Sequence, residues 1–77
     1  MFEIISTYSV DFGNTYTEFI KYKTNNKHIS YYLSKSVDKY TNETLYSQTI
    51  FSENGMKDNS LSQKQLKSLW EKLTLNL

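Results

Sequence analysis

The first dozen residues alternate. Phe2, Ile4, Tyr8, Val10 and Phe12 hold even positions, interrupted only by Ser6, and Glu3, Ile5, Thr7, Ser9 and Asp11 hold the odd ones. Successive side chains of a strand point to opposite faces, so a period of two predicts a half-buried strand. Asp11-Phe12-Gly13-Asn14 then supplies a turn, because Gly and Asn tolerate positive φ. A second strand is read over 16–23, with Tyr16, Ile20 and Tyr22 on one face and Thr17, Phe19, Lys21 and Lys23 on the other. Thr24-Asn25-Asn26-Lys27 reads as a tight hairpin turn. The third strand, over 28–37, groups Ile29, Tyr31, Leu33 and Val37, with His28, Ser30, Tyr32 and Ser34 opposite. The fourth, over 44–52, groups Leu45 and Phe51 with Ser47 and Thr49, and sets Tyr46, Gln48 and Ile50 on the other side.

The pattern changes after Glu53-Asn54-Gly55, where the sheet is expected to have ended. Ser62 and Gln65 stand at the spacing of a capping box, with Ser62 as N-cap, and Leu61 and Leu66 at the spacing of a hydrophobic staple. Leu66, Leu69, Trp70, Leu73 and Leu77 then recur at helical spacing, which predicts one amphipathic helix over about 63–75. Short turns join antiparallel strands, since parallel pairs need long crossovers. The expected fold is therefore α+β: a four-stranded antiparallel β-meander over about 2–52, followed by one C-terminal helix, all in a single domain spanning 1–77.

One helix covers one sheet face. The helix stripe is expected on the face of Ile4, Tyr8, Val10, Ile20 and Leu33, with Phe51 at its margin. The other face then shows Ile5, Phe19, Lys21, Tyr32, Tyr46 and Ile50. Such residues stabilise a sheet by cross-strand packing alone, at roughly 0.2–1 kcal/mol per pair. They also make an exposed apolar patch, a common mark of a partner site. The partner-binding set read from the sequence is Phe19, Lys21, Lys23, Tyr32, Tyr46 and Ile50.

Composition narrows the chemistry. With 77 residues, a single core supplies about 3–5 kcal/mol. The chain has no cysteine, so a disulfide or thiolate staple is excluded, and one histidine, His28, gives no metal site on its own. Seven tyrosines, four phenylalanines and one tryptophan must carry the burial. Catalytic signatures are missing. Only two glycines exist, Gly13 and Gly55, so neither a nucleophile elbow nor a phosphate loop can be built. Asp11-Phe12-Gly13 spells a kinase tripeptide, but without the rest of that fold it is a turn. The eight acids are scattered, and His28 sits at a turn. The expectation is a protein that is not an enzyme and uses no cofactor.

Nine lysines against eight acids leave a net charge of +1, too little to drive nucleic-acid or membrane attachment by field alone. The N-terminal residues form no signal peptide and no apolar run reaches the ~20 residues of a membrane span, so a cytoplasmic protein without membrane contact is expected. These features fit a non-catalytic protein-binding module. Small size, an Asn-, Lys- and Tyr-rich composition and the lack of metabolic motifs fit a phage or mobile-element accessory protein, such as an anti-CRISPR-like inhibitor of a host defence machine. Two alternatives come from the same face. Phe19, Tyr32 and Tyr46 beside Lys21 and Lys23 could stack on nucleic-acid bases, although the chain has no arginine for phosphate or guanine contacts. Or the face could be hidden in a homodimer, as in a self-associating structural subunit.

Overall fold

A computed structural model describes residues 1–58 and 60–75. The strands are β1 (Glu3–Asp11), β2 (Thr15–Lys23), β3 (Ser30–Asp38), β4 (Thr44–Ser52) and β5 (Gly55–Asp58), and the helix is α1 (Gln63–Thr74). The five strands form one antiparallel sheet in the order β1-β2-β3-β4-β5, and α1 packs on one face. The fold is α+β as expected, with one strand more than the alternation predicts. Ser52 pairs with Gly55 across a two-residue turn, and Gly55 takes φ +110°, a conformation that L side chains rarely adopt. The chain thus doubles back at the point where the sheet was expected to stop.

Beneath α1, β2 contributes Ile20 and Tyr22, β3 contributes Leu33, and β4 contributes Tyr46. The helix supplies Leu66, Trp70 and Leu73, with Leu69 partly packed against them. Leu77, the last position of the predicted stripe, lies outside the described residues. The cap forms as its spacing requires. Gln65 N–H donates to the Ser62 hydroxyl at 3.2 Å, and Ser62 N–H donates back to Gln65 Oε1 at 2.9 Å. This reciprocal pair satisfies two donors of the helix start, worth about 1 kcal/mol. Inside the core the Tyr22 hydroxyl donates to Gln48 Oε1 at 2.6 Å, so a polar pair is buried with its needs met. Burial pushes the Tyr22 phenol far above its ordinary pKa.

Two faces of the expected arrangement are corrected. In β1, Ile4 pairs with Tyr22 but Ser6 pairs with Lys21, so Ile5 is an extra, bulged residue. Ile4 remains on the helix side. Beyond the bulge the parity inverts: Tyr8 faces Phe19 and Val10 faces Thr17, both away from the helix. In β4 the whole strand is opposite to expectation. Tyr46 pairs with Lys35, Gln48 with Leu33 and Ile50 with Tyr31, all on the helix side, while Leu45, Ser47, Thr49 and Phe51 face the open side. Burying Gln48 is tolerable because the Tyr22 phenol meets its carbonyl.

The helix start is also tied to the sheet by one side chain. β5 ends opposite Thr49, which leaves the backbone of Tyr46 without a neighbouring strand on that edge. Tyr46 N–H donates to Gln63 Oε1 at 2.7 Å, and Gln63 Nε2 donates to the Tyr46 carbonyl at 2.7 Å. The Gln63 amide thus pairs with β4 as a strand residue would. Gln63→Ala should lower stability by about 1–2 kcal/mol in urea melts, the net worth of two hydrogen bonds. Gln63→Glu should not restore it, because a carboxylate cannot donate to the Tyr46 carbonyl. An unchanged midpoint for Gln63→Ala would show the amide contributes nothing.

At one end of the sheet the β1–β2 and β3–β4 turns are tied together. Lys39 Nζ donates to both carboxylate oxygens of Asp11 at 2.7 and 2.8 Å, and Lys39 N–H donates to the Asn14 carbonyl. Lys39, then the Gly13 N–H, hold the Asp11 carboxyl below its ordinary pKa, while the N–H groups of Thr41 and Tyr40 do the same for Asp38.

Candidate functional site

With α1 on one side, the other face of the sheet carries no covering element among the described residues. The register lays its side chains out in rows across the strands. One row is Tyr8, Phe19, Ser34 and Ser47, and the next is Ser6, Lys21, Tyr32, Thr49 and Asp58. Beyond it Phe51 pairs with Met56, and at the opposite end Val10, Thr17, Ser36 and Leu45 line up.

The rings on this face form two close pairs. Tyr8 and Phe19 stack with centroids 4.7 Å apart and planes 12° from parallel. Tyr32 and Phe51 meet edge to face at 5.0 Å. Lys21 lies over the second pair, its ammonium 5.5 Å from the Tyr32 ring centre, a cation–π contact. The rings are held by their neighbours yet remain open: Tyr8 is 49 % exposed and Phe51 40 %. Leu45 and Met56 at the margins are 62 % and 66 % exposed. Hydroxyls also join across the strands, Ser34 to Ser47 at 2.6 Å in the Tyr8–Phe19 row and Thr17 to Ser36 at 3.0 Å in the row beyond it. Fixed aromatic rings flanked by small hydroxyl residues give large contact area with little conformational entropy left to lose on binding.

Of the six residues read from the sequence as a partner-binding set, four are brought together here: Phe19, Lys21, Lys23 and Tyr32. Tyr46 and Ile50 are not. Tyr46 is buried beside Trp70 with ring centres 6.2 Å apart, and Ile50 sits on the helix side opposite Tyr31. Tyr8, Phe51, Leu45 and Met56 take their place. Tyr8 was hidden from the sequence reading by the bulge, and Phe51 and Leu45 by the inverted parity of β4. Met56 belongs to the unforeseen strand.

Charge is divided between the two sides. The open face carries Lys21 and Lys23 against the acids Asp38 and Asp58, with Glu3 paired to Lys27 at 2.9 Å. Three other lysines, Lys35, Lys64 and Lys67, instead surround a cavity of about 530 Å³ on the helix side, beside Gln63 and Tyr46. The two exposed ring pairs and this lysine cluster therefore lie on opposite sides of the sheet.

His28 is exposed at the β2–β3 loop, with Nδ1 3.7 Å from Glu53 and its backbone N–H donating to Asn26 Oδ1. Among the described residues no three His, Cys, Asp or Glu side chains converge as a metal-holding group, and no helix is long and apolar enough to cross a membrane. No protein-family model, curated protein or solved structure matches this chain.

Proposed function

We propose that this chain is a non-catalytic protein-binding module of the cytoplasm that presents its open sheet face to another protein. The observation that carries the reading is the pair of ordered aromatic contacts, Tyr8–Phe19 and Tyr32–Phe51, on a face that the single helix does not reach. Aromatic anchors ringed by small polar groups are the usual composition of a binding hot spot. Surface occlusion of this kind needs no catalytic group. It suits the accessory, inhibitor-type role that the composition points to, in which a small protein blocks a larger machine.

The charge layout favours a protein partner over nucleic acid. With Lys27 paired to Glu3, Lys21 and Lys23 are matched by Asp38 and Asp58 on the aromatic face, which gives little net phosphate neutralisation, and base-stacking platforms rely on rings and positive charge together.

The test is affinity capture from the native host with mass spectrometry, comparing the parent with the double variant Phe19→Ser/Tyr32→Ser. The variant should stay folded by circular dichroism, at a cost of about 1 kcal/mol per lost cross-strand pair. It should bind the captured partner at least about 30-fold more weakly, as loss of a hot-spot aromatic implies. Retained capture would remove this face from the mechanism. Retention of single-stranded nucleic acid in a low-salt filter assay, lost in the variant, would replace the protein reading with the nucleic-acid one.

A further inference from the structure

The two edges of the sheet differ. Edge strands present unpaired N–H and C=O groups, and monomeric proteins protect them by shortness, charge, proline or bulges. β5 is protected: it is four residues long and carries Lys57 and Asp58. β1 spans nine residues, and its charges lie only at the ends, Glu3 and Asp11. The bulge at Ile5 disturbs the start of β1, leaving Ser6-Thr7-Tyr8-Ser9-Val10 as a regular, uncharged, proline-free edge. The helix does not shield it. A cleft of about 320 Å³ separates Trp70 and Thr74 from Thr7 and Ser9.

We infer that this edge pairs with the same edge of a second copy, antiparallel about a two-fold axis at Tyr8. The chain itself argues for that occupant. In a continuous sheet, residues directly opposite must point to the same face, so a two-fold axis has to fall on a residue, not between residues. Centring on Tyr8 uses the whole regular stretch: Ser6 faces Val10, Thr7 faces Ser9, and Tyr8 faces Tyr8 of the other copy. No charge is placed against a like charge. Centring on Thr7 would run the pairing into the bulge at Ile5, and centring on Ser9 would engage Asp11, already held by Lys39. At the Tyr8 centre the stack of Tyr8 on Phe19 continues across the axis into its mirror pair. The guarded β5 edge closes the assembly at two chains, because like edges meet and no open edge is left for growth into a fibre. Both aromatic faces then lie on one side of a ten-stranded sheet and remain accessible.

This goes beyond the partner-binding reading and fails separately from it, since it concerns the edge and is measured without any partner. The parent should sediment as a monomer–dimer equilibrium between micromolar and millimolar concentration. The chain has no cysteine, so single cysteines report register. Tyr8→Cys should form a covalent dimer on mild oxidation, because directly opposed Cα atoms lie about 4.5–5.5 Å apart, within disulfide reach. Ser6→Cys should not, since its counterpart is displaced by four residues, about 13 Å. Thr7→Lys should stay folded by circular dichroism and sediment as monomer only. A parent that is monomeric at every concentration, equal cross-linking of the two cysteine variants, or a Thr7→Lys dimer as strong as the parent's would each overturn the inference.

Discussion

Trp70→Ala is expected to leave no cooperatively folded protein. Trp70 is 6 % exposed and stands in the middle of the helix stripe, against Tyr46 and between Leu66 and Leu73. Truncating a buried tryptophan costs about 3–5 kcal/mol, through lost transfer energy and the cavity left behind. A single core in a chain of 77 residues supplies about the same amount. No disulfide makes up the difference, since there is no cysteine. Far-UV circular dichroism should show a disordered spectrum, and urea should give no sigmoidal transition. Trp70→Phe keeps most of the buried area and should remain folded with a lower urea midpoint. A cooperative transition near the parent's midpoint for Trp70→Ala would mean that the helix is not the lid on this core.

The second large effect is an asymmetry within the buried polar pair. Tyr22 is 2 % exposed and Gln48 4 %, and they bond across β3 at 2.6 Å. Gln48→Leu removes the acceptor and strands a phenol in the core, while Tyr22→Phe strands the glutamine carbonyl. Each should cost about 1–3 kcal/mol, the desolvation of a polar group with no partner. Replacing both should cost less than the sum of the two single changes, because nothing polar is then left unpaired. A double-mutant cycle in urea measures the difference directly. Strict additivity would show that the two side chains do not depend on each other.

Much of this fold is written in local signals. The helix and its cap could be read from Ser62, Gln65 and the leucine–tryptophan stripe because every interaction involved lies within a few residues of chain. The faces of β2 and β3 are legible because each strand alternates cleanly, Ile20 and Tyr22 against Phe19 and Lys21 in β2, and Tyr31 and Leu33 against Tyr32 and Ser34 in β3. β4 was not, and the reason is physical. Leu45 and Phe51 balance Tyr46 and Ile50 in apolarity, so alternation alone cannot choose between them. The choice is made by Gln48, which reads as a surface residue until the Tyr22 hydroxyl is placed opposite it. The bulge at Ile5 is a property of pairing and cannot be seen in a single strand. β5 has no alternation to detect and exists because Gly55 turns the chain back against β4. The candidate face was therefore half legible: Phe19, Lys21, Lys23 and Tyr32 stay, Tyr46 and Ile50 leave for the core, and Tyr8 and Phe51 arrive from positions assigned to it.

The single surplus residue in β1 acts as a phase shifter. Upstream of it, even-numbered side chains serve the interior; downstream, even-numbered side chains serve the surface. Pairing the same residues without the bulge would send Tyr8 and Val10 inward and turn Thr7 and Ser9 out, trading a recognition surface for a greasier interior. The irregular step in this strand is thus as much a part of the chain's working vocabulary as the identity of any ring upon it.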